Sequence, residues 1–564
     1  MSKVSNLIRL ETLYNRPYTT FFNIPPLPLP ENPLISHHIL STMSRIVACL
    51  FFLSIPLLNC IGQNNYWQQE LKYKITVELD TKRQQLKSHL QLVYINHSPD
   101  TLSFIWFHLW VNAYQNFSSP FYYQLIADNS FDKDYFKNKM GYIKNLDFKV
   151  NDVPVSIPSN VATSEMLQLV LPSPLAPGDS VLISTPFDLT LPNYFSRMGF
   201  AEDQFMICQW FPKPAVYDKY GWHTFPYLER GEFYGEFGSF DVSITLPQEY
   251  VVAATGVLTT EDELEIYKNI GRANLIASKK PVLYKSNSKK EQQLKTLQYK
   301  AENVHDFAWF ANKNFVIQYD SLQLPSGTKT DIFTFFKHMP RSSWYTSTQM
   351  VKATLNAYST WVGEYPYPTA QVVQGPSNLV QAGMEYPMVT LISDPGFNME
   401  KLDGVIAHEV GHNWFYGILG SNEREHPWMD EGLNTFYQSR YEALKYEIFN
   451  FFNQDKMTEF KSTSPEEYQN SIEEAFTKIK NKTPIDSRAE SFLNKDEYFN
   501  VTYYKTAYWL LLVENRMGKE AFESGMKNYF KSWKFKHPYP DDFKNTLESS
   551  SHISLDEVFR LLQK

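Results

Sequence analysis

The chain has 564 residues, too many for one hydrophobic core, so more than one domain is expected. It is 43% hydrophobic and 20% charged, a balance typical of folded globular proteins and not of disordered chains. The net charge is −8 and no Lys/Arg-rich block stands out, which argues against nucleic acid as a partner.

The first recognisable pattern begins at Met43, where one arginine precedes an apolar run that small residues close. Residues 43–62 are therefore predicted to be a secretory signal peptide, which places the mature protein in the periplasm or outside the cell, without a stable membrane span. The alternatives are a retained membrane anchor, for which a run containing Pro56 is short, and a lipid anchor at Cys60. Residues 1–42 lack periodicity and are interpreted as an unstructured extension or a misassigned start.

Residues 63–322 have the pattern of an all-β domain. Segments such as YKITVELD, HLQLVYIN and SFDVSITLP alternate apolar and polar residues between turn signals. The pattern changes near LQLPSGTKTD, after which helical periods dominate and a short strand region, AQVVQG to YPMVTLIS, interrupts them. Residues 323–564 are therefore predicted to form an α+β domain in which a small sheet precedes a helical core.

The segment GVIAHEVGHNWFYG carries two histidines at helical spacing. His408 and His412 are one turn apart and project from the same helix face, where two imidazoles can bind one metal ion. Glu409 can reach a metal-bound water without becoming a ligand, although the bare pattern also arises by chance on buried helices. Eighteen residues separate His412 from Glu431, near the start of another amphipathic helix. This third donor completes a His₂Glu set and predicts a catalytic zinc site.

Four segments together resemble a known family. HEVGHNWFYGILGSN and PWMDEGLNTF resemble the gluzincin metallo-aminopeptidases, the aminopeptidase N and leukotriene hydrolase family. QAGMEYPMVT resembles the exopeptidase signature of that family, and VTYYKTAYWLL resembles the segment that carries its catalytic tyrosine. The similarity runs from about residue 68 onward. It implies a multidomain fold, a saddle-like N-terminal β domain followed by a thermolysin-like catalytic domain, in a short form without the large helical C-terminal domain.

The resemblance also implies roles for single residues. One zinc ion per chain would be bound by His408, His412 and Glu431. Glu409 would be the general base, and Tyr503 would donate a hydrogen bond to the oxyanion of the tetrahedral intermediate. Tyr504 is the alternative for this tyrosine.

The implied substrate-binding residues come from two other segments. Glu385 would bind the free α-amino group of the substrate, and the backbone around Ala382, Gly383 and Met384 would lie beside the peptide. Gln209, in a looser match over MICQWFPKPAVYDKYGW, is the candidate for a second amine-binding group.

The predicted function is a zinc aminopeptidase that acts on peptides with a free N-terminus. A thermolysin-type zinc endopeptidase is one alternative, but the AGMEYP segment would close the cleft beyond one residue. A catalytically silent scaffold is the other, but such a protein should have lost a zinc ligand or Glu409, and all are present. The preferred N-terminal side chain and the oligomeric state stay open.

Overall fold

The computed structural model describes residues 66–129, 136–137, 139–157, 165–276, 280–285, 293–376, 382–446, 473–474 and 476–564. The predicted signal peptide and the preceding extension lie outside these ranges. Residues Trp67–Lys564 form one compact unit. Within the described ranges, no helix combines the length and the apolar character that a bilayer crossing requires.

The first half of this unit follows the predicted alternation. In strand β1 (Glu70–Asp80) every second side chain is buried, and strand β2 (Gln85–Ile95) repeats the pattern. The two strands pair antiparallel along their whole length, from Glu70 opposite Ile95 to Asp80 opposite Gln85. Period-two hydrophobicity thus gives a sheet with one face in the core.

The other strands of this β-rich region are short or paired at a distance in sequence. In chain order they are β3 (Leu102–His108), β4 (Tyr142–Lys144), β5 (Lys149–Val150), β6 (Val153–Pro154), β7 (Met166–Leu175), β8 (Ser180–Thr190), β9 (Gly199–Ala201), β10 (Gln204–Ile207), β11 (Lys213–Pro214), β12 (Tyr217–Asp218), β13 (Gly221–Trp222), β14 (Gly238–Pro247), β15 (Val251–Ala254), β16 (Val257–Leu258), β17 (Leu294–Val304) and β18 (Trp309–Asn312). The large sheet has the order β16-β17-β14-β1-β2-β8-β5-β6, with β4 paired to β8. Smaller sheets are β15-β18-β10-β9, β11-β3-β7 and β12-β13.

In the described part of the β-rich region, two α-helices interrupt the strands, α1 (Pro120–Asn129) and α2 (Glu261–Asn274). Helix α2 is amphipathic and packs on the first strand of the next sheet. The strand pattern that dominates the surrounding sequence did not predict either helix.

A second sheet carries one wall of the candidate site. Its strands are β19 (Phe315–Gln323), β20 (Lys329–Lys337), β21 (Thr369–Gln374), β22 (Gly383–Tyr386) and β23 (Val389–Ile392), in the order β19-β20-β21-β23-β22. Strands β20, β21 and β23 are parallel, whereas β22 is an antiparallel edge strand. Strand β19 spans the predicted boundary at 322/323 and already belongs to this sheet.

Helices supply the rest of the second half. They are α3 (Ser347–Trp361), α4 (Met399–Gly411), α5 (Glu431–Tyr446), α6 (Lys495–Tyr498), α7 (Thr506–Met517), α8 (Lys519–Trp533), α9 (Pro540–Ser551) and α10 (Asp556–Phe559). A π-helix, Phe499–Lys505, joins α6 to α7. Helix α4 packs against α5 and against strands β22 and β23. A β-rich N-terminal part followed by an α+β part confirms the predicted fold class.

Candidate metal centre and active site

The N-terminal cap of helix α4 and its contacts with the core and with α5 hold its two histidines in place. Asn398 caps its first turn, accepting a hydrogen bond from the backbone N–H of Lys401 at 3.0 Å. Ile406 and Val410 are buried in the core. The backbone carbonyl of His408 accepts a hydrogen bond from a side chain of α5 at 2.7 Å, which ties the two helices together at the motif.

Three donor atoms converge between α4 and α5. The Nε2 atoms of His408 and His412 are 3.0 Å apart, and Oε2 of Glu431 lies 3.3 Å from the first and 3.2 Å from the second. Ligand atoms bound to one tetrahedral ion at about 2.0–2.1 Å are about 3.3–3.4 Å apart, so this set fits a zinc ion. Oε2 of Glu431 is buried and has no hydrogen-bond partner among the described residues, as expected of an atom meant for a metal.

The remaining ring nitrogens are held by oxygen acceptors. Nδ1 of His408 is 2.9 Å from Oε1 of Gln438, and Nδ1 of His412 is 2.6 Å from Oδ1 of Asp430. Because both partners accept, each Nδ1 carries the proton and each Nε2 keeps its lone pair for a metal. Sequence reasoning did not assign Gln438. It lies seven residues after Glu431, two turns along the same face of α5, and that spacing could have identified it.

Glu409 is buried against strand β22. A Cβ atom at Gly383 would lie 2.1 Å from Oε1 of Glu409, so the carboxylate can approach the strand only because that residue is glycine. Burial raises the pKa of Glu409 to about 8, with Glu431 adding to the shift and His412 opposing it. A carboxylate whose proton affinity is raised in this way suits a general base.

Glu385 projects from β22 into the same space. Its carboxylate and the donor atoms of Glu409 and His412 all lie within 4.8 Å of one another. Glu385 is only 6% exposed, and its Oε1 has no hydrogen-bond partner among the described residues. Burial raises the pKa of Glu385 well above its ordinary value, and nearby carboxylates including Glu232 add to this. An ammonium group bound here would relieve both effects.

The neighbours of Glu385 on β22 differ in exposure. Met384 is buried, whereas Ala382 is exposed and its carbonyl accepts a hydrogen bond from the N–H of Ser393 at 2.8 Å. Gly383 is partly exposed. The strand therefore presents its backbone at the sheet edge next to the site.

Tyr503 reaches the metal cluster from the π-helix. Its hydroxyl donates a hydrogen bond to Oε1 of Glu431, and its ring stacks on that of His408 with the centroids 5.8 Å apart. The rings of Tyr503 and Tyr504 both contact that of Phe499, with centroid distances of 4.5 and 5.1 Å. The wider turn of π-helices is frequent at functional sites, and here it accompanies the placement of Tyr503 beside two zinc-ligand candidates.

The hydrogen-bond partners of Gln209 are not the residues of this cluster. Its Nε2 donates to Oδ2 of Asp306 at 2.9 Å, and its Oε1 accepts from the hydroxyl of Tyr386 at 3.3 Å. Its part in amine binding stays a prediction. Glu232, a buried acid of the β-rich region, raises the pKa values of Glu385 and Glu409. It is paired with Arg197, and sequence reasoning missed it.

Comparison with known sequences gives matches in the second half of the chain. Residues 346–561 match the model of the peptidase family M1 domain. Leucine aminopeptidase 2 of Chaetomium globosum is 24% identical over 221 residues, which are 39% of this chain and 35% of that protein. Glutamyl aminopeptidase of Bos taurus is 27% identical over 177 residues, 31% of this chain and 18% of that protein. These matches thus span about a third or less of the relatives' length.

Comparison with solved structures covers more of the chain. The M1 zinc metallopeptidase of Deinococcus radiodurans superposes with a TM-score of 0.56 at 14% identity, covering 89% of this chain and 95% of that one. At this identity the likeness shows a shared fold, which includes both the β-rich part and the helical part. Residues 346–561, which include the metal cluster, thus match the peptidase family M1 domain, and the aminopeptidase relatives support the resemblance of the motifs to the gluzincin metallo-aminopeptidases.

Proposed function

We propose that this protein is a zinc aminopeptidase that removes the N-terminal residue from peptides, with one zinc ion per chain. The observation that carries the proposal is the short distance between two parts of the site. The carboxylate of Glu385 lies within 4.8 Å of the donor atom of His412, which converges with those of His408 and Glu431. A substrate amine at Glu385 and a substrate carbonyl at the metal donors would therefore be so close that both must belong to the same amino-acid residue.

The side chains divide the chemistry among them. When bound by His408, His412 and Glu431, zinc supplies a lower pKa for a coordinated water and polarises the scissile carbonyl. Glu409 accepts a proton from the attacking water at its buried, unpartnered Oε2 and returns it to the leaving amine. Tyr503 turns its hydroxyl from Glu431 to the oxyanion and stabilises it.

Two features would select a free N-terminus. Glu385 pairs with the substrate ammonium group, which an acetylated peptide lacks. Among the described residues, strand β22 is hydrogen-bonded on one side only, to β23, and its other edge can pair with an extended peptide. The proposed exopeptidase activity therefore depends on the carboxylate of Glu385 and on strand β22, which positions it.

We also propose export to the periplasm or the medium, because residues 43–62 have the charge and apolar pattern of a signal peptide. N-terminal sequencing of the protein recovered from each fraction of expressing cells would test this. We expect a mature N-terminus near residue 63. An uncleaved protein that begins at Met43 and stays in the cytoplasm would contradict export.

The enzymatic proposal is tested with fluorogenic aminoacyl substrates, free and N-acetylated, with and without a chelator. We expect hydrolysis of free substrates only, and its loss with chelator. Glu385→Ala should lower kcat/KM for free substrates by roughly 10- to 100-fold, since a buried charge-assisted pair is removed. Glu400→Ala, which changes an exposed glutamate on α4, is the matched control and should leave kcat/KM unchanged. Equal rates on free and acetylated substrates would show an endopeptidase instead.

A further inference from the structure

A cavity of about 320 Å³ lies between the β-rich region and the second sheet and shares no lining residue with the metal cluster. Helix α2, the turn from β15 to β16, and strands β17, β20 and β21 form its walls. Cavities of about 300 Å³ and larger, placed where two structural regions meet, are typical of small-molecule sites. Nothing in the proposed peptidase chemistry uses this one.

Most of the cavity wall is apolar or aromatic. The larger side chains that line it are Leu264, Tyr267, Tyr299, Phe333, Phe335 and Pro368. The hydroxyl of Tyr267 accepts a hydrogen bond from the N–H of Val252, and the hydroxyl of Tyr299 donates one to the carbonyl of Val252, each at 2.9 Å. Because both hydroxyls are hydrogen-bonded to the backbone of Val252, the two tyrosines offer the cavity their rings. This surface suits a flat aromatic body.

Two polar side chains of β21 interrupt this apolar wall. Thr369 and Gln371 are two residues apart on one strand face, and they are 4% and 6% exposed. Nε2 of Gln371 donates to the carbonyls of Ala254 at 2.6 Å and Gly256 at 3.2 Å, which fixes the amide. Within the described part of the chain, neither Oε1 of Gln371 nor the hydroxyl of Thr369 has a hydrogen-bond partner. Both oxygens can therefore accept a hydrogen bond from a ligand in the cavity.

The mouth of the cavity carries an excess positive charge. Nζ of Lys268 is 2.7 Å from Oδ2 of Asp331, whose Oδ1 accepts from the hydroxyl of Tyr319 at 2.9 Å. That ion pair is neutral as a unit. Lys329 also lines the cavity, is exposed, and has no ion-pair partner among the described residues. An anionic group at the mouth would complement it.

We propose that this cavity binds a small aromatic carboxylate that has an N–H or O–H group on its ring system, of the indole carboxylate type. The ring lies among the aromatic wall residues, the ring N–H donates to Oε1 of Gln371, and the carboxylate pairs with Lys329. Binding at this site is independent of the metal cluster and of the proposed peptidase activity.

Isothermal titration calorimetry of the full, zinc-loaded protein with indole-3-acetate tests the proposal. We expect saturable binding that is about tenfold weaker for Lys329→Ala, which removes the anion partner at an exposed position. Naphthalene-1-acetate, which lacks the ring N–H, should bind several-fold more weakly than indole-3-acetate. Leu264→Trp, which fills the cavity from α2, should abolish binding. Lys534→Ala, which changes an exposed lysine that does not line the cavity, is the matched control and should bind like the unchanged protein.

Three results would overturn the proposal. The first is no heat beyond dilution at millimolar ligand. The second is equal affinity of the unchanged protein and Lys329→Ala. Because Lys329 is exposed, its replacement should leave the fold intact, so this result counts even if Leu264→Trp misfolds. The third is binding that survives Leu264→Trp but is competed by an amino-acid hydroxamate, since the ligand would then occupy the metal site.

Discussion

Two buried histidines of this protein each pair with a carboxylate, but their second ring nitrogens have different surroundings. Nδ1 of His412 is 2.6 Å from Oδ1 of Asp430, and Nε2 of His537 is 2.8 Å from Oε1 of Glu236. The other nitrogen of His537 is 2.7 Å from the carbonyl oxygen of Gly420. Because both partners of His537 are acceptors, its ring carries both protons and is a cation.

The second nitrogen of His412 lies beside another imidazole nitrogen as well as a carboxylate oxygen. Its Nε2 faces Nε2 of His408 and Oε2 of Glu431, at 3.0 and 3.2 Å. Three lone pairs brought this close repel one another unless a cation lies between them. The same histidine–carboxylate pair therefore supports a metal ligand in one place and, in the other, forms an ion pair between the β-rich region and the helical region.

Replacing each histidine by alanine gives the largest expected difference. His412→Ala removes a metal ligand, so bound zinc should fall and hydrolysis should drop by roughly 10³-fold or more. His537→Ala should keep one zinc per chain and lower the melting temperature, because Glu236 is left buried without its partner. Elemental analysis after dialysis, together with rates on a free aminoacyl substrate, checks both. Loss of zinc from the His537 variant would contradict the distinction between a metal-binding His412 and a structural His537.

Glu409→Gln separates the base from the metal it lies beside. Because Glu409 is not among the three converging donors, zinc content should be unchanged while kcat falls by about 10²- to 10⁴-fold. Glu400→Gln, on the exposed side of the same helix, is the matched control. A Glu409 variant that loses zinc would place this carboxylate among the ligands.

Tyr503→Phe tests the hydroxyl that now donates to Glu431. Loss of an oxyanion donor should lower kcat by about 10²- to 10³-fold with little change in KM or in bound zinc. Tyr504→Phe is the control and should keep near-normal turnover. If the Tyr504 variant lost turnover and the Tyr503 variant kept it, the two tyrosines would exchange roles.

Much of the metal cluster could be predicted from the sequence because helical spacing converts directly into faces. His408 and His412 follow from one turn of α4, and the acid that begins α5 was found by its spacing and context. Gln438 lay within reach of the same reasoning. His537 did not, because its partner Glu236 is 301 residues away and no local pattern marks a pair at that separation.

The fold shows the same limit. Alternation predicted the strands of the β-rich region, but which strands pair depends on contacts far apart in sequence, such as the parallel pairing of β1 with β14. Helix α2 was missed for a related reason, since its apolar face packs on β19, whose place in the second sheet the sequence did not reveal. The unassigned acid Glu232 has its cation, Arg197, on a separate loop.

The smallest expected effect is a pH dependence of stability from the pair His537–Glu236. Burial lowers the pKa of His537, but Glu236 and the carbonyl of Gly420 raise it by more than burial lowers it. The pKa of His537 therefore lies above the ordinary value for histidine. The folded pKa therefore exceeds the unfolded pKa of about 6.5. The stabilisation is fully present below the unfolded pKa and is lost as the pH rises through the folded pKa.

The measurement is the melting temperature of the unchanged protein and of His537→Gln at several pH values from 6 to 9, at constant ionic strength. The unchanged protein should melt higher, and this advantage should shrink by roughly 1–3 °C as the pH rises. Comparing the two proteins at each pH cancels the titration of the metal cluster, which they share. Parallel curves would mean that His537 keeps one protonation state throughout, and that its ion pair with Glu236 makes no pH-dependent contribution to stability.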